Sequence, residues 1–362
     1  MYTFEVPETP EKVSVAAKKE YLQYGGQAII EGVMMRSPRY FAIACRAPNG
    51  DIVLTTEALE KTWIGRQKWL KWPFFRGSLA LLDTMSLAIK SMRFAANVQT
   101  DPKFAVVDEA AEGKPAEAGP SKRVQDATIG ATMVVSLGLG LFLFNYLPNL
   151  IAQSLEKFGA GGTLINFATE VVKMVIFIAY LWAIGQLPDV TEVFKYHGAE
   201  HKAINAMEAD QPLDLDSVQA QTRLHPRCGT SFAISVLLVS MLVFTFVPRY
   251  PFGHPLGYLA DATVRFGVEL VMLPLISGIA YELIRAAGRS RNSTVFQTLI
   301  WPGLMSQYLT TREPEQRHVE VSMLSLQAVI EAELTGKLAQ SVEELDKDPR
   351  GPQATAGTPA PL

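Results

Sequence analysis

Four long apolar stretches dominate this chain of 362 residues. They lie at residues 127–146, 164–187, 231–247 and 263–284. Each is close to the ~20 residues that an α-helix needs to cross the hydrocarbon core of a bilayer, and the third is the shortest. We therefore expect a mainly α-helical integral membrane protein with about four transmembrane helices.

Two of these stretches carry ionisable residues. The second contains Glu170 and Lys173, and the fourth contains Arg265, Glu269 and Glu282. Charged groups are costly inside a bilayer, so they normally face the interior of a helix bundle or a polar cavity, or lie near an interface.

The distribution of Lys and Arg predicts the orientation of the chain. Residues 147–163 hold one Lys and no Arg, and residues 248–262 hold only Arg249. Residues 188–230 hold four basic residues, and the flanks of the membrane region are also rich in Lys and Arg. Basic loops stay in the cytoplasm. We therefore expect a multi-pass protein of the inner (cytoplasmic) membrane with both termini and residues 188–230 on the cytoplasmic side.

Composition limits the partners. The net charge is −3, which does not indicate nucleic-acid binding. The chain has two cysteines, Cys45 and Cys228, in unlike sequence contexts, and they do not indicate a disulfide framework. Residues 1–20 are polar and charged, so no cleavable signal peptide is expected. Membrane lipid is the expected partner, and a homo-oligomer or a membrane protein partner is compatible with the sequence.

The region before the first span has two predicted parts. A strand-like run at residues 27–33 and alternating residues around the turn at residues 48–51 predict a small cytoplasmic β-hairpin or short sheet. Residues 63–97 combine aromatic, basic and periodic apolar residues, which is typical of an interfacial amphipathic helix. An ordinary helix packed on a soluble core has a similar pattern.

The whole chain divides into six predicted regions. Composition favours flexibility or disorder in three of them. A short apolar piece at residues 293–310, interrupted by Pro302, predicts an interfacial or re-entrant segment and not a fifth span. The regions are a flexible tail (1–20), the hairpin and amphipathic helix (21–99), a disordered linker (100–125), the membrane domain (126–310), a cytoplasmic helix (311–336) and a disordered tail (337–362).

The chemistry-bearing motif is H-x-x-E-H at residues 197–201. Two histidines four positions apart lie on one face of a helix, and that spacing allows both imidazoles to hold one divalent ion. The same pattern occurs in inverted zinc peptidases, in which the Glu, here Glu200, acts on water. An alternative is a helix end whose histidines hydrogen-bond to their neighbours.

A second cluster, His225 to Cys228, follows shortly afterwards. We expect His197, His201 and His225 to share one divalent metal ion, zinc, with the soft donor Cys228 in or near the ligand shell. Four protein ligands would form a closed structural site, whereas three would leave an open position beside Glu200. Arg227 could instead bind an anionic substrate or pair with an acid.

The glycine-rich segment Gly25–Pro38 is a second constellation. It lacks the Lys-Ser/Thr ending of a phosphate-binding loop. A tight turn with an ion pair between Glu31 and Arg36 is the interpretation favoured over direct chemistry.

Together these motifs resemble the YqhQ family of bacterial membrane proteins. The resemblance rests on residues 25–36, 196–202, 225–231 and 310–314, and it covers most of residues 22–335. It implies a multi-pass membrane protein with a metal site, predicted to be a metal-dependent enzyme, without an established substrate.

Three functional hypotheses follow. The first is a metal-dependent membrane hydrolase with Glu200 as general base. The sequence offers no clear candidate for the downstream acidic ligand of an inverted zinc peptidase. The second is a membrane scaffold or assembly factor with a structural metal. The third is a transporter-like protein that uses the charges within its spans, although no internal repeat supports it.

Overall fold

The computed structural model describes residues 24–59, 75–104, 122–289 and 294–339. The tail predicted at residues 1–20, most of the linker predicted at 100–125 and the tail from residue 340 onward lie outside the described residues. The aromatic residues that precede residue 75 in the predicted amphipathic helix lie outside them as well.

The N-terminal region forms an antiparallel sheet of four strands in the order β1-β2-β3-β4. The predicted turn at residues 48–51 joins β3 to β4, with Arg46 opposite Ile52. The run at residues 27–33, read as one strand, is two strands, because the chain turns at Ile30 and Glu31, where Glu31 adopts a φ of 49°. The strands are β1 (Gly25–Ile29), β2 (Gly32–Arg36), β3 (Tyr40–Arg46) and β4 (Ile52–Ala58).

Helices cover both faces of this sheet. Side chains alternate between faces along a strand, so Met35 and Ala42 pack with helices α5 (Pro188–Glu208) and α10 (Gln316–Thr335). Neighbouring residues such as Met34 and Ile43 pack with α1 (Phe75–Thr100) on the other face. Full burial of a large apolar side chain contributes about 1.5–3 kcal/mol, so this sandwich holds the sheet firmly against α5.

Four apolar helical segments in the described part of the chain are long enough to cross a membrane, as predicted. Their outer surfaces are strongly apolar: Trp182 is 60% exposed and Val271 is 77% exposed. Large apolar side chains are stable at such positions when lipid surrounds them. The segments are Val134–Phe158, Gly162–Ile184, Gly229–Phe246 and Leu259–Ala286.

The first segment differs from its predicted range of 127–146. Helix α2 (Lys122–Leu141) continues through a π turn (Phe142–Tyr146) into α3 (Leu147–Gln153) and a final 3-10 turn. Pro148 lies in the first turn of α3, where the missing N–H of proline is tolerated. The span therefore reaches further along the chain than its composition indicated.

The charged residues of the spans face the interior of the bundle. In α4 (Gly162–Ile184) and α8 (Tyr258–Arg289), Lys173 Nζ lies 3.1 Å from Glu170 Oε1 and 2.7 Å from Glu269 Oε1. Ser240 of α7 (Gly229–Phe246) donates to the second oxygen of Glu170 at 2.8 Å. Arg265 is also buried. Glu282 is partly buried.

Two further helices lie beside the spans. Helix α1 packs along α8 and exposes an apolar stripe of Leu82, Met85, Ile89 and Met92. This stripe supports the predicted interfacial position of α1, which stays a prediction. Helix α9 (Thr294–Thr310) has 17 residues, fewer than the ~20 needed for a full span, and it packs across α7.

Candidate metal centre

Helix α5 carries the H-x-x-E-H motif. It begins at Pro188, with Asp189 in its first turn, and both residue types favour a helix start. His197 and His201 lie one turn apart on one face, with ring centroids 4.4 Å apart. The predicted placement of the two imidazoles on one helix face is confirmed.

Cys228 completes a group of three potential ligands. The ligand atoms of His197, His201 and Cys228 all lie within 4.8 Å of one another, and Nε2 of His197 is 3.1 Å from Sγ of Cys228. Ligand atoms bound to one zinc ion lie roughly 3–4 Å apart. The group is therefore close to the spacing that a metal ion requires.

Backbone oxygens orient both imidazoles. Nδ1 of His197 donates to the Thr310 oxygen at 2.8 Å, and Nδ1 of His201 donates to the Arg223 oxygen at 2.6 Å. A carbonyl oxygen only accepts, so these contacts assign the proton to Nδ1 in both rings. Each Nε2 is then available to a metal ion, an arrangement that is typical of metal-binding histidines.

Cys228 is the N-cap of α7, and its Sγ accepts a hydrogen bond from Thr230 N. Burial opposes ionisation of the thiol, but the adjacent His197 and His201 lower the pKa of Cys228 well below its usual range. Burial likewise opposes protonation of His197, but the Cys228 thiolate raises the pKa of His197 to about 9. Without metal the site therefore favours a thiolate–imidazolium pair, and the thiolate is the form that binds zinc.

Glu200 lies beside this group without belonging to it. Burial raises the pKa of Glu200, while the charges of His201 and His197 oppose that rise. Its carboxylate accepts a hydrogen bond from the backbone N–H of Gly26. A Cβ atom on Gly26 would lie 2.8 Å from Cγ of Glu200, so only glycine allows strand β1 to approach this closely.

This contact corrects the interpretation of the segment Gly25–Pro38. The segment does contain a tight turn, at Ile30 and Glu31, but Gly26 lies in strand β1. Glu31 lies in that turn and Arg36 at the far end of β2, roughly 16 Å away along the strand, so they do not form the predicted pair. Tyr196 donates to Glu31 at 3.1 Å, and Arg36 pairs with Asp83 at 2.6 Å.

His225 lies next to the three-ligand group but outside it. Gln307 binds both its backbone N–H and its carbonyl oxygen, at 2.8 and 2.7 Å, and the His225 ring centroid is 5.6 Å from that of His201. Its Nε2 is 3.5 Å from Glu208 Oε1. Burial lowers the pKa of His225, which favours the neutral form. Its role as a shared metal ligand stays a prediction.

Arg227 pairs with an acid, one of the two alternatives considered for it. Its Nη2 contacts Oε1 of Glu208, the same oxygen that faces His225. Burial opposes ionisation of Glu208, but His225 and Arg227 lower its pKa to about 2.

The connection between α9 and α10 forms another wall of the site. Thr310 supplies the oxygen that orients His197, and Arg312 N donates to Phe194 O at 2.9 Å. A Cβ atom on Gly198 would lie 2.2 Å from Arg312 O. Position 198 inside the H-x-x-E-H motif must therefore be glycine, because the α9–α10 connection leaves no space for a side chain there.

Comparison with known proteins agrees with the motifs. A family model described as "Protein of unknown function (DUF1385)" matches residues 72–332. The chain belongs to this family. It is also similar to the "Uncharacterized protein YqhQ" of Bacillus subtilis (strain 168), with 30% identity over 314 residues, which are 86% of this chain and 93% of the relative. No solved structure matches the chain.

The region matched to DUF1385 includes the three candidate ligands, Glu200 and the connection at Thr310, whereas Gly26 precedes it. Sequence reasoning quoted the segments around Gly26 and Thr310 as motifs but did not assign them to the site. It did not identify Gln307. Several motifs without an assigned role were a sign that other segments contribute to the site. Which segments contact the histidines could not be predicted, because these contacts join residues more than 80 positions apart.

Proposed function

We propose that this protein is a zinc-dependent hydrolase that acts at the cytoplasmic face of the membrane. The observation that carries the proposal is the group of His197, His201 and Cys228 together with one acidic residue, Glu200, which Gly26 holds beside the group. Catalytic zinc sites have three protein ligands and keep one position open. A neighbouring carboxylate outside the ligand set is suited to general-base work.

Each residue has a role in this proposal. Zinc, when bound, supplies a Lewis acid that polarises the substrate and promotes ionisation of water. His197, His201 and Cys228 would hold it, and the carbonyl oxygens of Thr310 and Arg223 fix both imidazoles. Glu200 accepts the proton of the attacking water, and its raised pKa brings it closer to the value that suits a base near neutral pH.

The position of the ligands supports a substrate at the membrane surface. Cys228 directly precedes the span Gly229–Phe246, and α5 begins four residues after the span Gly162–Ile184. The metal group therefore lies where two spans end. The basic residues of 188–230 support the cytoplasmic side for this end.

The metal content of the full-length protein purified in detergent tests the ligand assignment. We expect one zinc per chain, and we expect His197→Ala, His201→Ala and Cys228→Ala each to remove it. Cys45→Ala is the matched control, because Cys45 is buried in the sheet and contacts Gln99. Wild type without bound metal, or Cys228→Ala with full metal content, would show the assignment to be wrong.

Glu200→Gln tests the catalytic role. The variant keeps nearly the same shape, so we expect it to retain zinc. We expect it to lose hydrolysis of chromogenic ester, amide or phosphate-ester substrates by at least about 100-fold, the usual contribution of a general base. Unchanged hydrolysis by the zinc-loaded variant would exclude Glu200 as the base.

Burial of the site supports a second candidate, a scaffold or assembly factor with a structural metal. His201 and Glu200 are 1% and 4% exposed, and the site joins α5, the loop before α7 and the end of α9. With His225 as a fourth ligand the metal would be closed off from substrate. In that case metal removal would lower thermal stability sharply, and Glu200→Gln would change neither metal content nor any activity.

A further inference from the structure

The first turn of α7 has the properties of an anion-binding site. Helix N-termini present unsatisfied N–H groups and a partial positive charge. Cys228 uses the N–H of Thr230. A Cβ atom on Gly229 would meet no atom within 4 Å in the described part of the chain, so there is space at the beginning of this 18-residue helix.

Two buried donors immediately before the helix are incompletely satisfied. Nη1 of Arg227 has no hydrogen-bond partner among the described residues, and Nε2 of His225 has Glu208 Oε1 3.5 Å away, too poorly placed for a full hydrogen bond. His225 is 3% exposed. Buried donors are normally satisfied by protein, water or ligand, so these two atoms point to a polar group that binds here.

Glu208 organises these donors. Its Oε1 binds Nη2 of Arg227 and lies 3.5 Å from Nε2 of His225. One end of the guanidinium is thereby fixed, and Nη1 remains for another acceptor. The carboxylate also repels an anion, but Arg227 neutralises it, and a bound zinc would add positive charge on the other side of His225.

We propose that Arg227, His225 and the first turn of α7 bind the phosphate group of the substrate next to the metal group. This inference rests on the proposed hydrolase function, with His225 outside the ligand set. Arginine and helix N-termini are common partners of phosphate. Phosphate presents oxygens in all directions, which suits donors from two side chains and a helix end better than a planar carboxylate does.

The phosphate can belong to a lipid headgroup or to a soluble phosphate ester. Gly229 begins a membrane span, so the site lies at the depth where headgroup phosphates are found. Both sources present the same chemical group to Arg227.

Calorimetric titration of the full-length protein in detergent tests the inference, with zinc-loaded and metal-free samples in parallel. We expect inorganic phosphate to bind and Arg227→Gln to weaken binding at least about tenfold, because a charge-assisted hydrogen bond is lost. The double variant Glu208→Gln/Arg227→Gln removes both charges and guards against misfolding from an unpaired Glu208. Arg39→Gln is the control, since it also breaks an Arg–Glu pair but at the distant Glu333.

The outcomes separate the two proposals. Phosphate affinity within twofold of wild type in both Arg227 variants, an equal loss in Arg39→Gln, or acetate binding as tight as phosphate would overturn the phosphate site. Arg227-dependent phosphate binding by a protein that holds no zinc would support the phosphate site while the hydrolase proposal fails. Tighter binding of dihexanoyl phosphatidic acid than of inorganic phosphate would identify the lipid source, and equal binding would identify the soluble one.

Discussion

At the scale of single residues, Gly198 links the metal motif to the rest of the fold. It lies between the candidate ligands His197 and His201, and the α9–α10 connection crosses it through Arg312 O. A side chain here would push away the same connection that orients His197 through Thr310 O. The ligand geometry and the backbone packing therefore depend on one position.

We expect Gly198→Ala to lower the free energy of unfolding by about 3 kcal/mol, the upper part of the range for overpacking, and to weaken zinc binding. Thermal unfolding in detergent and metal content measure the two effects. Gly138→Ala is the control, because a Cβ atom there meets nothing within 4 Å among the described residues. Equal stability of the two variants would mean that the connection over Gly198 is not held in place.

At the scale of elements, ion pairs join α5 to α10 at the edge of the site. Glu192 of α5 lies 2.6 Å from Nε2 of His318 and 2.7 Å from Nη2 of Arg317, both in α10. Lys195 lies 3.2 Å from it on its own helix. Burial alone would raise the pKa of Glu192, but hydrogen bonds from His318 and Lys195 and the charge of Arg317 lower it.

This shift gives a pH-dependent prediction. A lowered folded-state pKa stabilises the fold above the unfolded-state pKa of about 4.3, and the contribution is lost as the pH falls through the folded-state pKa. We expect Glu192→Gln to cost about 1 kcal/mol near neutral pH and progressively less below the unfolded-state pKa. Thermal unfolding at a series of pH values measures the difference.

Glu320→Gln is the control on α10, since its ion pair with Arg46 is more exposed. We expect a smaller loss from it near neutral pH. A cost of Glu192→Gln that stays constant down to the lowest pH would contradict the electrostatic explanation.

At the scale of the whole molecule, the buried charges of the spans distinguish this bundle from a purely apolar one. Lys173 contacts two glutamates from α4 and α8 with its side chain 7% exposed. Lys195 also contacts two glutamates, but its side chain is 22% exposed. Among the described residues, a lysine between two glutamates thus occurs both inside the membrane domain and outside it.

We expect Lys173→Met to destabilise the protein by about 3–5 kcal/mol, because it leaves the buried Glu170 without its cation and Glu269 with only Arg265, at 3.7 Å. Lys195→Met should cost about 1 kcal/mol or less. Additional Glu170→Gln and Glu269→Gln changes should restore much of the loss in the Lys173 variant. Equal unfolding temperatures of the two lysine variants would contradict this account of the network.

Both predicted outer loops lie at one end of the bundle, where Arg249 packs against Gly162 and donates to Asn149. We expect Lys157→Cys and His254→Cys to react with a membrane-impermeant maleimide added outside the cell, because both positions are exposed at this end. Gln211→Cys, exposed at the other end, should react only after the membrane is opened. Labelling of Gln211→Cys alone from outside would reverse the orientation.

The number of candidate spans and the pairing of His197 with His201 follow from the amino-acid sequence alone, whereas the third member of the group is Cys228 and not the expected His225. A bilayer leaves a long apolar stretch few alternatives to a helix, and two histidines four positions apart must share a helix face. These conclusions depend on local periodicity and length, which are readable along the chain.

The surroundings of the candidate ligands depend on contacts between distant parts of the chain. Local pattern could not indicate that Gly26 approaches Glu200, that Thr310 orients His197 or that Gln307 holds His225, since each contact joins segments that are remote in sequence. The first span extends to Phe158 because a π turn and a tolerated proline continue it. Packing between distant segments settles such features, and a single sequence records their residues but not their contacts.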